Sequence, residues 1–122
     1  MKIGFIGLGN VGGKLASSLL RNKFELTVSD LDKNLTNKFL IKGAKIAKTN
    51  KELAEKADLI ITCLPSPKVC AEVMEAEDGV INGLSKNIIW LEMSTTDESE
   101  LKRLSKLVEE KNAVPLDGPV SG

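Results

Sequence analysis

Histidine and tyrosine are both absent from the 122-residue sequence. Without histidine, no Ser-His or Cys-His pair and no His-ligated metal can be built from this chain alone, and no metal site is expected. A general acid or base would have to be a carboxylate, a lysine or a cysteine. Cysteine is scarce as well. Cys63 ends an apolar run and Cys70 falls in a predicted helix, so the two read as reduced, buried thiols rather than as a metal cluster. Charge of one sign is lacking: 17 basic residues balance 17 acidic ones, spread along the chain, which points away from a nucleic-acid partner and from an acidic disordered tail. No apolar run reaches the length of a membrane span. The apolar stretch from Ile3 is short, glycine-broken and followed by no small-residue cleavage site. The sequence therefore reads as a soluble, cytoplasmic protein of one domain, spanning 1–122.

Among what is present, three continuous apolar runs stand out: Ile3 to Ile6, Leu59 to Leu64 and Ile88 to Leu91. Unbroken rather than alternating apolarity predicts strands buried on both faces, as in a parallel sheet covered by helices. Leu26 to Ser29, Ala44 to Ile46 and Val114 to Leu116 are weaker strands. Helices are predicted between them. Val11, Leu15 and Leu19 form a stripe on the first, and Lys33 to Lys42 carries Leu35, Phe39 and Leu40. Lys51 to Lys56 is short, with Asn50 as its expected cap. Pro67 to Ala76 begins with Ser66 as cap and proline at its first position. Thr96 to Lys111 aligns Leu101, Leu104, Leu107 and Val108, behind an acidic start. Strict strand–helix alternation implies crossover connections, hence an α/β, doubly wound, mostly parallel six-stranded sheet of Rossmann type.

Gly7-Leu8-Gly9-Asn10-Val11-Gly12 follows the first strand and opens the first helix. In that context the glycine pattern predicts a phosphate cradle: Gly7 for a tight turn, Gly9 for close approach of a pyrophosphate, and Gly12 for helix–strand packing. The helix N-terminus adds amide donors and the positive end of a dipole. A P-loop is excluded, because its first glycine would fall on Leu8 and its magnesium-holding hydroxyl on Leu15. Asp30 ends the second strand, where a carboxylate accepts ribose hydroxyls and repels a 2′-phosphate. With no arginine after it, this favours NAD over NADP, although Lys33 could reach a 2′-phosphate. The competing reading makes Asp30 a turn residue and Asp32 a helix cap.

The run Ile3 to Gly12 resembles the opening of the β-hydroxyacid dehydrogenases, the group containing 3-hydroxyisobutyrate dehydrogenase and tartronate semialdehyde reductase, related to 6-phosphogluconate dehydrogenase. Three later segments are similar to that family in the same order. Cys63-Leu64-Pro65 matches its Leu-Pro pair, Glu92-Met93-Ser94-Thr95 its Asp-x-Ser-Thr, and Asp117-Gly118-Pro119-Val120-Ser121-Gly122 its Asp-Ala-Pro-Val-Ser-Gly substrate motif. The resemblance implies that Leu64 and Pro65 wall the nicotinamide ring. It places Thr95 near the nicotinamide ribose, Lys68 (with Val69 close behind) at the next cofactor contact, and Ser121 and Gly122 on the carboxylate of a small hydroxy-acid substrate. Each has a plainer alternative: Pro65 as a turn former, Ser94 and Thr95 as the approach to a helix cap, Lys68 as a solvated lysine, Ser121 as a tail residue.

The resemblance also implies a second, all-helical domain that supplies a catalytic lysine and the dimer or tetramer contacts. Nothing in this chain matches it, so no catalytic residue is assigned here and oligomer formation is expected only of the full-length enzyme. The implied activity is hydride transfer between nicotinamide and a small 3-hydroxy acid or semialdehyde, with this chain binding cofactor but not turning over efficiently alone. The alternatives are a stand-alone NAD-binding regulatory module, or the cofactor domain of an imine or pyrroline reductase or a prephenate-type dehydrogenase.

Overall fold

In the computed structural model, residues 1–94 and 97–117 are described. Six strands, β1 (Lys2–Ile6), β2 (Glu25–Ser29), β3 (Lys45–Ile46), β4 (Leu59–Thr62), β5 (Ile89–Glu92) and β6 (Val114–Asp117), form one sheet in the order β3-β2-β1-β4-β5-β6. Every neighbouring pair is parallel. Five α-helices connect them: α1 (Asn10–Arg21), α2 (Lys33–Ile41), α3 (Asn50–Lys56), α4 (Pro67–Glu75) and α5 (Glu98–Glu110). A short 3₁₀ turn at Val80–Gly83, which the sequence patterning did not suggest, precedes β5.

The continuous apolar runs have the expected cause, since successive residues face opposite layers. Ile60 and Trp90 point into a core shared with Leu53 of α3, Met74 of α4 and Leu104 and Val108 of α5. Ile61, with Ile3 and Phe5, points into a second core under α1 and α2. The chain runs outward from β1 in both directions. The switch point, where α/β sheets open a crevice, therefore lies at the carboxyl ends of β1 and β4.

Several boundaries differ from expectation. The cap of α3 is Thr49, whose hydroxyl accepts from Glu52 N–H (3.0 Å), and not Asn50, which is the first helical residue. Helix α5 begins at Glu98, capped by Asp97, two residues later than the acidic start suggested. Strand β4 ends at Thr62; Cys63 N–H still bonds Ile6 O of β1 (2.9 Å), and the Leu64 amide turns to the Ser94 side chain. The α4 start is as expected, with Ser66 accepting from Val69 N–H and Pro67 opening the helix. No helix among the described residues is long and apolar enough to cross a membrane.

Candidate functional site

Four of the five α-helices begin under a side-chain cap, from Asp32, Thr49, Ser66 and Asp97. Helix α1 does not: its N-cap is Gly9, which has no side chain to turn back onto the first amides. This helix start faces a cavity of about 1300 Å³ along the carboxyl edge of the sheet, which Gly7, Gly9, Asn10, Val11 and Gly12 help to line. That exceeds the roughly 300–1000 Å³ of an ordinary small-ligand pocket and suits an extended ligand.

The glycines meet different demands. Gly7 has φ of +100°, and a Cβ there would run into the Cys63 carbonyl oxygen of the neighbouring strand end. At Gly12 a Cβ would collide with the Gly7 carbonyl oxygen, so its absence lets α1 seat against β1. A Cβ on Gly9 would meet no atom within 4 Å. The fold does not need glycine at that position; the bare surface is available to a ligand. A backbone cradle with an uncapped helix dipole behind it fits the pyrophosphate of a dinucleotide.

Asp30 lines one end of the cavity, beyond β2. Its Oδ2 accepts from Leu8 N–H (2.7 Å) and its Oδ1 from Asp32 N–H (2.8 Å), so both oxygens are oriented by backbone. Asp32 in turn caps α2 by accepting from Asn34 N–H. Asp32 thus takes the capping role of the competing reading, and Asp30 ties the end of the second strand to the glycine turn. Leu8 is buried and takes part through that amide, not through a surface on the cavity. Leu31, 98% exposed, Lys33 and Lys48 sit on the rim of the same end. Ser29, whose hydroxyl donates to Asn50 Oδ1 (2.7 Å), helps to line it.

At the opposite end the walls are Leu64 and Pro65, after β4, and Met93 and Ser94, after β5. Ser94 Oγ accepts from Leu64 N–H (2.5 Å) and joins the two segments. Lys68 is exposed on the first turn of α4 and is not among the lining residues, whereas Val69, Glu72 and Val73 are. Thr95, Ser121 and Gly122 lie outside the described residues. Cys70 is buried, but Cys63 is only half-buried and lines the cavity, a correction to the expectation of two buried thiols. Burial first, and then the charge of Glu92, push both thiols up, Cys70 to about 12. Both are therefore held protonated and poorly nucleophilic at neutral pH.

Val69, the second choice for the next cofactor contact, does line the cavity, while Ser29, Asn50 and Ser94 were not foreseen as lining residues. Only Ser94 had a usable signal, its place in the segment after β5; the others reach the cavity through strand order and helix placement.

A family model described as the NAD binding domain of 6-phosphogluconate dehydrogenase matches residues 2–122. The mitochondrial 3-hydroxyisobutyrate dehydrogenase of Mus musculus is 39% identical over 120 residues, covering 98% of this chain but 36% of that protein. A crystal structure of 3-hydroxyisobutyrate dehydrogenase from Salmonella typhimurium superposes with a TM-score of 0.91 at 25% identity, covering 100% of this chain and 42% of that one. An imine reductase from Pseudomonas sp. superposes at 0.89 with 25% identity, covering 99% and 41%. The chain thus spans well under half the length of these relatives.

Proposed function

Because the chain belongs to the family of the NAD-binding domain of 6-phosphogluconate dehydrogenase, we propose that it is the cofactor-binding part of an NAD-dependent dehydrogenase acting on a small 3-hydroxy acid or its semialdehyde. The observation that carries the reading is the uncapped start of α1, which opens onto the cavity with Gly9 bare beneath it. Asp30 supports NAD over NADP. Its carboxylate, held by Leu8 and Asp32 amides, offers remaining lone pairs to ribose hydroxyls and repels a 2′-phosphate. Lys33 and Lys48 on the same rim are the groups through which a 2′-phosphate would be accommodated instead.

When bound, a nicotinamide cofactor supplies the hydride acceptor and donor. The chain's own residues bind and orient. The α1 amides hold the pyrophosphate, while Leu64 and Pro65 present an apolar wall that excludes water from the reacting face. Thr95 is assigned to the ribose on that side and Lys68 to a neighbouring contact, with Ser121 and Gly122 on the substrate carboxylate; these four rest on the segment matches alone. The proton is handled by a lysine from a helical domain beyond this chain, which also carries any oligomer contacts. A regulatory module without catalysis is the second reading, and the matched substrate motif at residues 117–122 speaks against it.

The test is side-by-side calorimetric titration with NADH and NADPH, followed by assay with 3-hydroxyisobutyrate. NADH is expected to bind more tightly, and the 122-residue chain to turn over little or nothing. Preference for NADPH would overturn the Asp30 argument. Binding of neither would overturn the cofactor reading, and robust turnover by this chain would overturn the assignment of catalysis to a second domain.

A further inference from the structure

We propose that Glu92 is a positioning residue for the cofactor cavity: through Thr62 and Ser94 it locks together the two segments that wall the cavity end opposite Asp30. The inference rests on the dinucleotide reading above and goes beyond it by assigning the order of that end to one buried carboxylate.

Glu92 is the last residue of β5 and is only 1% exposed. A carboxylate removed from water is costly unless it is well hydrogen-bonded, so its presence among apolar neighbours calls for a role. Register places it directly beside Thr62, the last residue of β4. Its Oε1 accepts from Thr62 Oγ1 (3.1 Å) and from Ser94 N–H (3.0 Å). The direction of the first bond is dictated from behind. The indole of Trp90, which can only donate, gives its proton to Thr62 Oγ1 (3.0 Å), so the Thr62 hydroxyl proton turns toward Glu92. Trp90 is fully buried in the core under α3, α4 and α5. The relay is therefore anchored in the rigid interior and ends at the cavity.

At the cavity, Ser94, fixed through its own amide, receives Leu64 N–H on its Oγ. Leu64 lies just beyond the end of the β4 ladder, and the next residue, Pro65, has no N–H to offer. The Leu64 amide is thus the last backbone donor before Ser66 caps α4 at which the Leu64–Pro65 wall can be tied down. Met93 N–H, bonded to Thr62 O (2.8 Å), holds the facing segment to the same strand end. Removing the carboxylate leaves Ser94 N–H and the Thr62 hydroxyl without this acceptor, so Ser94 is no longer fixed where it receives Leu64 N–H and the Leu64–Pro65 wall loosens, while the Met93 backbone bond remains. The α1 cradle and Asp30, which use none of these bonds, stay as they are.

The test titrates the chain and its Glu92→Ala, Glu92→Gln and Thr62→Val variants with NADH and with ADP-ribose, which has the adenosine and pyrophosphate but no nicotinamide. Glu92→Ala is expected to weaken NADH binding about tenfold, the scale of one or two lost hydrogen bonds, and to leave ADP-ribose within about twofold. Glu92→Gln keeps an acceptor at the same reach and restores NADH affinity. Thr62→Val conserves volume and is expected to shift NADH in the same direction by less; it carries the test if Glu92→Ala does not fold. Equal losses for both ligands would overturn the proposal, because Glu92 would then act on the whole fold, and so would unchanged NADH affinity. A wild-type chain that binds neither ligand overturns the cofactor reading itself, a result distinct from either.

Discussion

Gly9 and Gly12 stand three residues apart in one turn, and substitution should separate their jobs. Gly9→Ala meets no protein atom, so the thermal midpoint is expected to stay put while NADH affinity falls by at least about tenfold. Gly12→Ala forces a methyl group onto the Gly7 carbonyl and is expected to cost about 1–3 kcal/mol of stability as well as binding. Denaturant unfolding beside NADH titration checks both, and a destabilised Gly9→Ala would contradict the assignment of that glycine to the ligand. A second residue-scale effect lies away from the site. Lys23, just past α1, holds φ of 64°, a left-handed conformation that an L side chain adopts at a cost. Lys23→Gly is expected to raise unfolding stability by about 1 kcal/mol, read by urea denaturation.

At the scale of elements, α4 and α5 are strapped together by Arg103, which bonds both oxygens of Glu75 and pairs with Glu100 on its own helix. Arg103 holds the Glu75 and Glu100 carboxyls below the usual range, while the Ser99 hydroxyl and the Ser99 and Glu100 amides do the same for the α5 cap Asp97. Lowered carboxylate values stabilise the fold above the unfolded pKa, and that contribution is lost as pH falls through the folded values. Stability is therefore expected to decline below about pH 4. Arg103→Met should flatten that acid limb, and high salt should weaken it because the groups are exposed. Circular dichroism of unfolding across pH, with and without salt, measures it; an unchanged limb in the variant would place the acid sensitivity elsewhere. The caps show how far local sequence reaches. Ser66 before Pro67 was legible because cap and helix are contiguous. Thr49 was missed for Asn50 because both are good caps, and Asn50 is drawn off by Ser29 from a distant strand end.

For the whole molecule, the switch point between β1 and β4 gathers the glycine turn, Asp30, Leu64–Pro65 and Ser94 along one cavity. A ligand that binds only the folded state stabilises it by mass action. NADH at about one hundred times its dissociation constant is expected to add about 2.7 kcal/mol. A calorimetric melt checks this, and a melt unmoved by NADH or NADPH would remove the dinucleotide from the cavity. The six-stranded parallel architecture itself was readable beforehand. Ile60-Ile61 and Trp90-Leu91 are apolar at consecutive positions, which happens when helices cover both sheet faces.

The sequence by itself determined the order of the strands and α-helices, the two-sided burial of the central strands and the place of the glycine turn. These depend on short-range facts: the period of apolar residues, the left-handed φ that Gly7 can adopt, and a proline that opens a helix. Only the tertiary structure decided which groups meet across the sheet. Trp90 reads as core in any sequence window, and nothing local reveals that its indole starts a chain through Thr62 and Glu92 to the cavity wall. That partnership spans 28 residues between Trp90 and Thr62 and 30 between Thr62 and Glu92. It exists because parallel register brings the ends of β4 and β5 side by side. Periodicity tells which way a side chain faces; register and strand order decide what it finds there.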